Sequence, residues 1–195
     1  MSSTRSMSRR ASLRNLAVTG VAVASGMAGE ASEPPARQVP ATGEEAKPVG
    51  SPVDLAVARL KKGHSCAQAV FSAFAEPMGV DHDAAVKLSS GFGGGMHPGG
   101  PCGAVTGAIM AIGLKYGGLY PNMQATKLGR EFADRFKAKH RSINCPDLIG
   151  VDLSTPEGVA AAKDMKVLAG CPGFVENAAR ILDVLLKEAQ PAAIG

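Results

Sequence analysis

The sequence predicts an all-α protein: one compact bundle of six or seven helices that carries a glycine-rich loop. Three observations predict it. Apolar residues recur at three- and four-residue intervals through residues 52–190, one stripe per segment. Cap-forming residues and prolines open these segments, and glycines close them. No convincing alternation of apolar and polar residues marks a strand.

The first 31 residues read as an address rather than a fold. Ser8-Arg9-Arg10-Ala11-Ser12-Leu13-Arg14 resembles a twin-arginine export signal, and a mildly apolar run from Leu16 to Ala28 follows it. That run is too short and too weak to span a bilayer core of ~30 Å. The expected destination is the periplasm, with no membrane span in the mature chain. The twin-arginine route carries proteins that are already folded, often with a cofactor loaded in the cytoplasm. Residues 32–51 read as a disordered linker, because Pro34, Pro35, Pro40 and Pro48 alternate with Glu, Ala, Gly and Thr without apolar periodicity.

The formal charge of +4 is concentrated at the start. Without residues 1–31 the chain holds 17 basic and 16 acidic groups. A near-neutral domain with no tryptophan and two tyrosines is not built to bind nucleic acid. Lys137, Lys139, His140 and Arg141 read as the solvated, dipole-favoured end of a helix.

Ser51-Pro52-Val53-Asp54 predicts a capped helix start, with Val53, Ala56, Val57 and Leu60 on its inner face and Gly63 as its stop. A second helix opens near Ser65, where Cys66, Ala69, Val70 and Ala73 form one stripe. Asp81 caps a short third helix that runs through Leu88. Six glycines then fall between Gly91 and Gly100. They cost entropy on ordering and suit a backbone that must pass close to a cofactor, a neighbouring helix or another subunit. No Gly-Lys-Ser/Thr follows, so a phosphate loop lacks support.

The helix after Cys102 places Gly103, Gly107 and Ala111 on one face, beside Ala104 and Ala108, a surface that admits another backbone. A two-fold homodimer is expected from this face and the glycine loop. Asn122 caps the next helix, with Leu128, Phe132 and Phe136 in line. Ser154-Thr155-Pro156-Glu157 opens a helix that reaches about Leu168. The last starts at Pro172 and turns Phe174, Ala178, Ile181, Leu182 and Leu185 inward.

The four cysteines carry the chemistry. Cys145 and Cys171 each precede a proline, and Cys102 opens Cys102-Gly103-Ala104-Val105-Thr106-Gly107, so these three are expected as N-caps. Cys66 lies in the first turn of its helix. Free N–H groups and the positive end of a helix dipole favour thiolate over thiol. The separations of 36, 43 and 26 residues contain no C-x-x-C, so a thioredoxin-type dithiol, a zinc ribbon and covalent haem all lack their usual signature. Four converging thiolates hold a [2Fe–2S] or [4Fe–4S] cluster or one zinc ion. Four that pair off form two disulfides, in one of three connectivities, or leave a redox-active dithiol. His97, His64 and Gln68 are secondary candidates as a ligand or a sulfur neighbour. Met78, Met96, Met110 and Met123 read as packing residues.

With Cys102-Gly103-Ala104-x-x-Gly107 stand Gly63-His64-Ser65-Cys66-Ala67-Gln68-Ala69-Val70, the Gly91–Gly95 run, Cys145-Pro146-Asp147-Leu148 and Cys171-Pro172. Across roughly residues 55 to 187 the chain resembles the C-GCAxxG-C-C family, small domains with four characteristic cysteines. The resemblance implies redox activity. It also implies an iron–sulfur centre on Cys66, Cys102, Cys145 and Cys171, by likeness to domains fused to haem modules in electron-transfer proteins. The expected function is therefore an exported electron-transfer protein with a partner protein. Its alternatives are a thiol–disulfide oxidoreductase and a non-catalytic helical module stapled by two disulfides.

Overall fold

A computed structural model describes residues 50–97, 99–164 and 166–189. The expected export signal and nearly all of the expected linker lie outside these residues. Eight α-helices are found among them: α1 Pro52–Lys61, α2 Cys66–Ala75, α3 His82–Ser89, α4 Gly103–Tyr116, α5 Met123–His140, α6 Cys145–Ile149, α7 Pro156–Ala161 and α8 Cys171–Glu188. Short 3₁₀ segments follow α2 and α3. No strand is present among the described residues, and a single antiparallel bridge pairs Pro101 with Asn144. None of the helices described is long and apolar enough to cross a membrane.

The helix starts follow the caps. Ser51 Oγ accepts the Asp54 N–H at 3.2 Å, Asp81 accepts that of Ala84 at 2.9 Å, and Asn122 accepts that of Ala125 at 2.9 Å. Two elements are single turns, which is why the count exceeds six or seven. One is α6. The other is α7, which ends at Ala161 rather than near Leu168. Beyond it the chain runs through turns, in one of which Asp164 Oδ1 accepts the Lys166 N–H at 3.0 Å.

Helix α2 is the centre of the bundle. From Ala67 to Ala75 every residue but Gln68 is buried, and α1, α3, α4 and α8 pack around it. The apolar stripes of the other long helices close the core with Phe132 and Phe136 of α5 and Val175, Ala178, Leu182 and Leu185 of α8. Phe174 and Ile181 on the α8 stripe are only partly buried. The small-residue face of α4 is filled by α2 of the same chain. A Cβ on Gly107 would stand 2.7 Å from the Ala67 carbonyl oxygen, so only glycine permits this approach. The face expected to admit a second subunit is thus taken internally.

The inner face of α1 departs from expectation at Arg59. The sequence stripe runs Val53, Ala56, Val57 and Leu60, but the buried residues are Val53, Ala56 and Arg59. Arg59 is buried because its charge is paired. Its guanidinium donates to Ser72 Oγ at 2.7 Å and to Glu76 Oε2 at 2.7 Å, while Glu76 Oε1 lies 2.7 Å from His82 Nδ1. This chain of polar groups ties α1 to the end of α2 and the start of α3.

Two outcomes follow for stability. Gly107→Ala should lower stability by about 1–3 kcal/mol through overpacking against α2, measured by thermal or denaturant unfolding. A melting curve unchanged from the parent would contradict the close approach. The second concerns pH. Burial alone would raise the Glu76 carboxyl, but the bonds from Arg59 and His82 outweigh it and hold the group below its ordinary 4.5. The unfolded chain therefore binds this proton more readily. The contribution is complete above pH 4.5 and is lost as pH falls through the lower folded value. Glu76→Gln should melt lower at neutral pH and show a shallower decline on acidification.

Candidate functional site

Each cysteine stands at the start of a helix. Cys102 is the N-cap of α4. Cys66, Cys145 and Cys171 are the first residues of α2, α6 and α8, behind Ser65, Asn144 and Gly170. For Cys145 and Cys171 this is one position inside the expected N-cap. The proline that follows each is still tolerated, because no N–H in a helix's first turn has an intrahelical partner.

Local bonding fixes these starts. Ser65 and Gln68 form a capping box ahead of Cys66: the Ser65 N–H donates to Gln68 Oε1 at 2.9 Å, and Ser65 Oγ accepts the Gln68 N–H at 3.3 Å. The Gln68 amide donates to the Val86 carbonyl at 3.2 Å, so this side chain is a cap and a tether to α3 rather than a donor to sulfur. Cys102 and Cys145 are joined through their backbones. The Cys102 N–H donates to Ile143 O at 2.7 Å, and the Cys145 N–H donates to Gly100 O at 2.9 Å. The glycine loop folds against this tie. Gly95 has φ +73°, and a Cβ there would stand 2.8 Å from Gly100 O and 2.9 Å from the Cys145 Cβ. What the glycines let the backbone approach is the cysteine-bearing chain itself.

All four cysteines line one cavity of about 510 Å³. Leu60, Ile149, Leu153, Leu168 and Phe174 supply its apolar wall, and Lys61, His64 and Ser65 are the other polar residues that face it. Cys102 and Cys145 are buried, at 3 % and 6 % exposure, whereas Cys66 and Cys171 are half-buried. All four are free thiols.

The sulfurs feel one another. The Cys66 thiol donates to Cys171, and this bond, then burial, then the charges of the other three cysteines push Cys66 far above the ordinary thiol range. The same bond pulls Cys171 down against its burial. Burial, then the charges of Cys102 and Cys171, push Cys145 up to about 12. Burial also raises Cys102. The sulfur makes no formal capping bond, yet the N–H groups of Ala104 and Val105 oppose that rise. Of the four, Cys171 is the one whose thiolate form the surroundings favour. A cationic centre in the cavity would reverse the balance for the other three, because coordinated thiols deprotonate. Among the described residues no group of three or more His, Cys, Asp or Glu side chains is arranged as a bound metal ion would need.

The secondary candidates separate. His64 lines the cavity, with Nδ1 3.1 Å from Arg59 O and its ring edgewise on His82 at 6.1 Å. His97 is exposed, at φ +66°, and is not part of the lining. Met78 and Met110 pack against the core, and Met123 is exposed. Sequence reasoning missed the wall residues Ile149, Leu153 and Leu168. Nothing in the sequence sets them apart, because Leu148, Val151, Val159 and Val167 in the same stretch are equally aliphatic.

A protein-family model described as "Putative redox-active protein (C_GCAxxG_C_C)" matches residues 64–185. No curated protein and no solved structure matches the chain.

The sulfur environments set an order of reactivity. Iodoacetamide at neutral pH should label Cys171 of the metal-free chain before the other three, as read by peptide mass spectrometry. Cys66→Ala removes the donor, so the pH midpoint for Cys171 labelling should rise. Earlier labelling of Cys102 or Cys145 would contradict the assignment.

Proposed function

The chain belongs to the C_GCAxxG_C_C family, and from that membership we propose that it is an exported electron-transfer protein whose four cysteines hold an iron–sulfur cluster. The observation that carries this reading is the convergence of Cys66, Cys102, Cys145 and Cys171 on one cavity from four separate helix starts. In kind and number the four donors on this cavity match the group. Four sulfurs are the usual ligand number for a [2Fe–2S] or [4Fe–4S] core. The cavity lies within the volume range of small-ligand sites, roughly 300–1,000 Å³, and a polynuclear core needs more room than a lone ion. Three of the four thiols are held protonated by burial and by one another, a strain that bound cations relieve.

When bound, the cluster supplies a one-electron donor and acceptor. The chain's own residues do the rest. The Ala104 and Val105 N–H groups offset negative charge at Cys102. Leu60, Ile149, Leu153, Leu168 and Phe174 give the sulfurs an apolar surround, and polarity and solvent exposure are two of the levers on a cluster's potential. The half-buried side, at Cys66 and Cys171, is where an electron-transfer partner protein approaches most closely. The twin-arginine-like start of the sequence fits a protein that folds around its centre in the cytoplasm and then works in the periplasm.

Anaerobic purification of the full chain should yield iron and acid-labile sulfide with broad visible absorption. Cys102→Ala, which removes a buried ligand, should lose most of the iron and the colour while circular dichroism still reports a helical protein. An anaerobic preparation of the parent that is colourless and free of iron would reject the cluster.

A further inference from the structure

Leu119, Tyr120 and Met123 are the most exposed large apolar residues among those described, at 96 %, 94 % and 75 %. They stand in or beside the loop that joins α4 to α5, and Leu114 in the last turn of α4 is exposed as well. One exposed leucine is ordinary, but several large apolar side chains together on one connection are a patch. The patch is convex. Leu119 and Tyr120 leave almost their whole surface to solvent, so a protein partner would have to supply a matching pocket for each. A bilayer interface needs no such match. It accepts aliphatic side chains from a protruding loop, and a tyrosine, with its apolar ring and polar tip, settles at the headgroup level.

Charge points the same way. Between Asp83 and Glu131 the chain has no carboxylate, and Lys115 and Lys127 flank the loop on either side. The groove of about 570 Å³ beside the loop is lined by Lys115, Asn122 and Met123 among others, and by no acidic residue. Lys115 donates to the Leu186 carbonyl at 3.2 Å, which anchors it without neutralising it. The neighbouring groove, which Lys127 lines, does hold Glu131 and Glu188, but Arg135 bonds both carboxylates, at 2.6 and 2.8 Å. Among the described residues no carboxylate is paired with Lys115 or Lys127.

We infer that this loop docks the protein on an anionic phospholipid surface, with Leu119, Tyr120 and Met123 among the headgroups and Lys115 and Lys127 against the phosphates. The attachment is peripheral, since none of the described helices is long and apolar enough to cross a bilayer. Three apolar side chains and two lysines make a weak contact that salt loosens. None of these residues lines the cysteine cavity, so the docking stands or falls apart from the cluster.

The chain contains no tryptophan, so Leu119→Trp places a single indole at the tip of the loop. The full chain with this substitution is mixed with phosphatidylcholine vesicles that contain or lack phosphatidylglycerol. The indole reports on the loop alone, which matters because the basic, apolar start of the chain is itself suited to anionic vesicles. With phosphatidylglycerol its emission should shift to the blue and be quenched by brominated lipid, and both effects should fade as salt is raised. Adding Lys127→Gln should weaken the response about fivefold. Adding Tyr120→Asp and Met123→Asp, both at exposed positions, should abolish it. An indole that stays in water beside the anionic vesicles overturns the inference, as does an equal response to vesicles that lack phosphatidylglycerol. A blue shift without vesicles that grows with protein concentration also overturns it, and assigns the loop to a second copy of the chain.

Discussion

The close approach of α4 to α2 is the constraint on which the site depends. With Gly107 against the Ala67 carbonyl, the backbones of the two helices meet without side chains between them. This brings the start of α4, and Cys102, beside the start of α2, and Cys66. From there the other cysteines are placed in sequence. The bonds of Cys102 to Ile143 and of Cys145 to Gly100 fix the third cysteine to the second. The packing of α8 on α1, α2 and α4 brings in the fourth. The small residues of α4 are thus less a mark of flexibility than the means by which distant thiols share one cavity.

Electrostatics explains why such a site would favour a cationic guest. Neither lysine nor arginine contributes to the shifts of the four sulfurs; burial, backbone N–H groups and the sulfurs themselves account for them. Thiols so arranged cannot all ionise in an apolar surround. The Ala104 and Val105 N–H groups soften this at Cys102, but they do not cancel it. The one thiolate that is stabilised, Cys171, gains its stability from a neighbouring cysteine and not from a base.

Local signals were readable and non-local ones were not. Ser51, Asp81 and Asn122 announce their helices because a cap is a contact between residues three apart. The prolines after Cys145 and Cys171 mark the helix starts, but they do not fix the N-cap to one position, since a proline is tolerated anywhere in the first turn. Gln68 was open to a better reading: Ser65-x-x-Gln68 is itself a capping-box pattern. Arg59 was hidden because periodicity ranks positions by apolarity, and its burial is made possible by Ser72 and Glu76, 13 and 17 residues away. The cavity wall from Ile149 to Leu168 carries no period, so nothing along the chain marked it. The gathering of the sulfurs is a property of helix packing, and separations of 36, 43 and 26 residues do not encode it.

The position of α8 also bears on biogenesis. Cys171 belongs to a helix that comes after the three other cysteine-bearing segments and contacts α1, α2, α4 and α5. During translation the first three cysteines emerge well before residues 171–188, and the cavity lacks one side until those residues are made. The four-thiol cavity is therefore complete only once α8 has been made. The nascent chain spends that interval with an apolar, thiol-lined cleft open to the cytosol, a surface that chaperones recognise.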